Sequence, residues 1–72
     1  MSETALSMTT RQRELVLWLG RVRYCSERGI IRAGWGHSTV VTCKRKGWIE
    51  WDDNHPYSLR ATAFGLQRAA AR

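Results

Sequence analysis

The sequence predicts a small α+β domain in which a long helix, a short helix, a β-hairpin and a C-terminal helix follow one another. Three observations carry that prediction. Leu15, Trp18, Leu19, Val22 and Cys25 recur at the i, i+3, i+4 spacing of one helical face. The stretches "WIEW" and "YSLRAT" alternate apolar with polar residues and flank "DDNHP", a run of turn formers. Hydroxyl residues and glycines stand where helices should start and stop.

Residues 1–8 show no periodicity and read as a flexible tail, which leaves 9–72 as a single domain near the size where one hydrophobic core is only just sufficient. Thr9 with Gln12 forms a T-x-x-Q capping box, so the first helix is expected from Thr10 to about Arg28, with Gly29 as its C-cap. Arg11, Arg21 and Arg28 fall mainly off its apolar stripe. "GIIRAGWGH" reads as a connector with an extended bridge at Ile30 and Ile31. Ser38 is the expected cap of a second helix, about two turns long, that buries Val40 and Cys43. It ends at Gly47 after Lys44, Arg45 and Lys46, cations that suit a helix C-terminus.

In the hairpin, alternation sends Ile49 and Trp51 to one face and Trp48 and Glu50 to the other. On the return strand Tyr57, Leu59 and Ala61 share a face, with Ser58 and Arg60 outside. Thr62 then caps a last helix in which Phe64 and Leu66 make the apolar contacts while Arg68 and Arg72 stay wet.

The longest apolar run, "LVLWL", is too short to cross a bilayer, and no signal-peptide pattern opens the chain. A cytoplasmic, non-membrane protein is expected. Cys25 and Cys43 with His37 and His55 give C-x11-H-x5-C-x11-H, which lacks the close ligand pairs of a structural zinc site. No catalytic set, phosphate loop or cofactor motif is recognisable, so neither an enzyme nor a small-molecule substrate is expected. The net charge of +6 favours an acidic partner, and nucleic acid, an acidic protein surface and anionic lipid all qualify on charge alone.

"VVTCKRKGWIE" resembles the end of a recognition helix in the winged-helix superfamily, L-x-x-L-x-[KR]-[KR]-G-x-[IL]-E, with Val40 and Cys43 in the two apolar places. "MTTRQRELVLWL" is similar to the opening of the LexA repressor's DNA-binding domain, and "YSLRATAFGLQRAA" to the wing and final helix of MarR-type regulators. The resemblance implies a reduced winged-helix, helix-turn-helix domain of a small, phage-type transcription regulator. Its expected contacts are mostly to the DNA backbone, from Lys44, Arg45, Lys46 and Arg60, with His55 at the wing tip. Only Ile30 to Lys46 lies between the expected first helix and the Lys46–Gly47 turn, too little for a full positioning helix, and "AGWGH" stands where the recognition helix should begin. The alternative is a protein-interaction module that docks on a larger machine such as RNA polymerase. There Trp35 and Trp48 would be exposed anchors, and Arg45 and Lys46 would steer the approach.

Overall fold

The computed structural model describes residues 8–71. Within them the chain forms α1 (Thr10–Val22), β1 (Cys25–Ser26), α2 (Glu27–Arg32), α3 (His37–Arg45), β2 (Ile49–Trp51), β3 (Ser58–Ala61) and α4 (Ala63–Ala70). Among the described residues this is an α+β domain of four helices and one antiparallel three-stranded sheet in the order β1-β3-β2. Residues 1–7 of the expected tail, and Arg72, lie outside the described residues. Met8, placed with the tail by the sequence, packs against the core.

The capping box forms as expected. Gln12 N donates to Thr9 Oγ1 at 3.1 Å, and Thr9 N donates to Gln12 Oε1 at 2.9 Å. The helix stops earlier than expected, at Val22, because Arg23 turns to φ 82° while its N–H still bonds Leu19 O at 2.9 Å. The buried face is Leu15, Val16 and Leu19, with Trp18 only half-buried and Val22 41% exposed. The stripe is rotated from its expected position because Cys25 belongs to β1, where it pairs with Leu59.

A helix, α2, occupies the place expected for a C-cap and an extended bridge. Ser26 caps it, its hydroxyl accepting from Gly29 N at 3.0 Å, and Ile30 is fully buried. Gly29 therefore sits inside a helix rather than ending one. A Cβ there would come within 2.9 Å of Cys25 Sγ, so the close approach of β1 to α2 requires glycine. The short turn through Gly34 and Gly36 leads into α3, which begins at His37 with Gly36 as its N-cap. Ser38 falls in the first turn and caps nothing. Val40 and Cys43 are buried as expected, and Gly47 ends the segment at φ +79°.

Trp48 is the main correction. It was expected to alternate outward, but it is 2% exposed and belongs to the core. Strand alternation begins only at Ile49, so it does not govern Trp48, which sits in the turn. Trp48 N donates to Cys43 O at 3.0 Å, and Trp48 O accepts from Thr62 N at 3.0 Å. Thr62 caps α4, its hydroxyl accepting from Gly65 N at 2.8 Å and lying 2.8 Å from Gly47 O. The end of α3 is thus knitted to the start of α4. Gly65 rests against the Trp48 backbone so closely that a Cβ would overlap the Trp48 carbonyl.

The hairpin has the register Ile49↔Ala61, Glu50↔Arg60 and Trp51↔Leu59. Ile49 and Leu59 are buried, while Tyr57, expected on the inner face, precedes β3 and is 83% exposed at φ +66°. In α4 the buried residues are Gly65 and Ala69; Phe64 lies exposed, contrary to expectation, while Leu66, 37% exposed, lays its side chain against Gly20 of α1 as the expected apolar contact. Gly65 is small because the Trp48 backbone lies against it, and α4 also packs along α1. Arg13 Nη1 fastens that contact by donating to the Ala69 carbonyl, and to Ala71 O at 2.9 Å.

Candidate nucleic-acid interface

Val40 and Cys43 fix which way α3 faces. At about 100° per residue, the side turned away from them carries Ser38 and Arg45, flanked by Val41 and Thr42. Ser38 and Arg45 are exposed and the other two half-buried, so this stripe is open to a partner. His37 is exposed in the first turn, and Lys46 is exposed just past the last.

The basic triplet does not act as one patch. Lys44 leans sideways, its Nζ 3.2 Å from Glu27 Oε2 on α2 and 4.8 Å from the ring centre of Trp51. Arg45 lies on the outward stripe. A second basic pair, Arg28 and Arg32, is not evident from the sequence, because Arg28 falls in the expected first helix and Arg32 in the expected connector. On α2 they stand four residues apart, opposite the buried Ile30, and both are exposed. Ser26 followed by Glu27, an N-cap and an acid in the first turn, was the available signal for that helix.

The hairpin has the opposite electrostatic character. Ile49–Ala61 carries three carboxylates, Glu50, Asp52 and Asp53, against the single guanidinium of Arg60. Arg60 Nη2 lies 2.7 Å from Glu50 Oε2 and 3.8 Å from Asp53 Oδ2, and its Nη1 lies 3.8 Å from Asp52 Oδ2. The hydrogen bonds that Arg60 donates to Glu50 are the main influence holding the Arg60 pKa above its ordinary value. His55 is also held in place, with Nδ1 3.0 Å from Asp52 Oδ1 and its ring stacked on Tyr24 at 3.6 Å. The Asp52 carboxyl is held below its usual range by the His55 hydrogen bond first, then by the backbone N–H of Asn54. Phosphate would have to displace carboxylates to reach Arg60 or His55.

The two expected tryptophan anchors have separated. Trp48 is buried, whereas Trp35, half-buried in the α2–α3 turn, tilts against Trp18 of α1 with centroids 5.7 Å apart. Arg11 lies over the Trp35 ring at 4.7 Å and donates to the Gly34 carbonyl.

Burial pushes the Cys43 thiol up to about 11. Among the described residues no group of three or more His, Cys, Asp or Glu side chains is placed to hold a metal ion. Nor is any described helix long and apolar enough to cross a membrane. No family model, curated protein or solved structure matches the chain.

Proposed function

We propose that this protein is a small transcription regulator that binds duplex DNA through α3, in the manner of a winged-helix domain. The observation that carries the reading is the outer stripe of α3, exposed at Ser38 and Arg45 and half-buried at Val41 and Thr42, on a helix whose inner side is anchored by Val40 and Cys43. The order behind the resemblance, two helices, a glycine turn and a hairpin, runs through α2, α3, Gly47 and β2–β3. A compressed positioning helix, α2, precedes α3 where the sequence offered only a connector.

Phosphate contacts come from Arg45 and Lys46, with Arg28 and Arg32 on the adjoining helix. Such contacts fix position on the duplex and carry little sequence information. The acidic hairpin stays clear of the backbone, because its carboxylates repel phosphate. This drops Arg60 and His55 from the contacts expected from sequence and leaves Lys44 a supporting role beside Glu27. The alternative reading, docking on a machine such as RNA polymerase through Trp35 and Trp48, loses its principal anchor with the burial of Trp48.

Titration of a labelled duplex followed by fluorescence anisotropy tests the proposal. The expected result is binding tighter than about 100 μM at low salt, weakening steeply as salt rises. Absence of binding at that level would overturn it.

A further inference from the structure

Two features of the surface have no part in the proposed DNA contact: an aromatic groove flanked by two arginines and one carboxylate, and an acidic hairpin tip with an exposed aromatic ring. The first is a groove of about 360 Å3 lined by Glu14, Leu17, Trp18, Arg21 and Trp35. Its aromatic wall is the tilted Trp18–Trp35 pair, with Arg11 over the Trp35 ring. The second is the hairpin tip, which ends on Tyr57, 83% exposed at φ +66°, and also carries Asp53, whose side chain is 86% exposed. The fold makes almost no use of this ring, yet holds its backbone in a region tyrosine seldom adopts.

We propose that these features are the two halves of a head-to-tail contact between copies of this chain, with Tyr57 of one copy seated in the Trp18–Trp35 groove of the next. A phenol ring against a tilted indole pair gives the edge and offset contacts that aromatic rings prefer. Asp53 then approaches Arg21, and the single acid of the groove lining, Glu14, is outnumbered by Arg11 and Arg21. A chain cannot fill its own groove. The hairpin packs on the inward side of α1 through β3, whereas Glu14, Leu17 and Arg21 form that helix's outward stripe. The contact joins different patches on the two copies, so it propagates instead of closing on itself. Net charge of +6 opposes assembly at low salt, and the local attraction between tip and groove offsets it once screening is near physiological.

Sedimentation velocity on the protein without DNA tests this independently of the nucleic-acid proposal. In about 0.15 M salt the weight-average mass should rise above the monomer as concentration approaches about 1 mM. Tyr57→Asn and Arg21→Glu should each weaken association about tenfold or more, and Tyr57→Phe should retain it. Circular dichroism checks that these exposed substitutions leave the fold intact. The decisive sample is an equal mixture of Tyr57→Asn and Arg21→Glu chains. It retains one intact tip and one intact groove per pair, so it should form dimers and stop there. A monomer at every concentration overturns the proposal, as does growth that persists in both variants or a mixture no more associated than its components.

Discussion

Arg60 and Glu50 face each other across the hairpin, and Arg60 sends both its Nε and Nη2 hydrogens to Glu50 Oε2, at 2.9 and 2.7 Å. With Asp52 and Asp53 close by, the one cation of the hairpin is saturated by carboxylate. The hairpin therefore offers no uncommitted guanidinium to phosphate, and the proposed contacts next to the outer stripe of α3 fall to α2 and α3.

That division gives a direct measurement. Replacing Arg45 or Lys46 by alanine should lower the slope of log affinity against log salt by nearly one unit each, and should weaken all duplexes alike. Arg60→Ala should leave the slope unchanged. A slope that falls with Arg60→Ala would return the hairpin to the DNA interface.

Trp48→Ala should cost about 3–5 kcal/mol, as truncation of a buried aromatic does. Loss on that scale is a large part of the stability of so small a domain. Trp51→Ala, half-exposed on the hairpin, should cost distinctly less. Urea denaturation of the two variants gives the order, and equal losses would contradict the burial of Trp48.

Gly65→Ala and Gly20→Ala test two close approaches of different kinds. A Cβ at Gly65 meets the Trp48 backbone, which cannot move without shifting both the end of α3 and the cap of α4. A loss of about 3 kcal/mol is expected, at the upper end of ordinary overpacking. At Gly20 the obstacle is Leu66 Cδ2 at 2.8 Å, the far end of a flexible side chain. There the melting temperature should fall much less.

Asp52 sets a pH dependence. Its folded pKa lies below the ordinary 3.8, chiefly through the His55 hydrogen bond. The ionised carboxylate therefore contributes stability that is present above about pH 4 and is lost as pH falls through the folded value. Melting temperatures from pH 7 to pH 2 should show that loss, and Asp52→Asn should flatten it. An unchanged acid limb in the variant would assign the loss to other carboxylates.

Tyr57→Asn separates strain from contact. Asparagine tolerates the left-handed conformation better than tyrosine, so the isolated monomer should gain about 0.5–1 kcal/mol in chemical denaturation. A destabilised monomer would mean that the ring packs against its own chain.

Local signals in the sequence were enough to place several elements. The Thr9 box, the burial of Val40 and Cys43, the turn at Gly47, the hairpin and the Thr62 cap each depend on neighbours a few residues away, where side-chain chemistry and helical or strand spacing suffice. Other features required partners distant in the chain. Arg23 ends α1 without a glycine, and Cys25 leaves the helical stripe because Leu59 offers a strand to pair with. With those two residues misassigned, α2 and its arginine pair could not be read. Trp48 is buried because α4 closes over the Gly47 turn, a contact set by Thr62 and Gly65 more than a dozen residues away. Composition fixed the sign of the protein's charge, but only the tertiary structure separated a hairpin rich in carboxylates from helices rich in arginine, by pairing Glu50 with Arg60 and turning Arg45 outward.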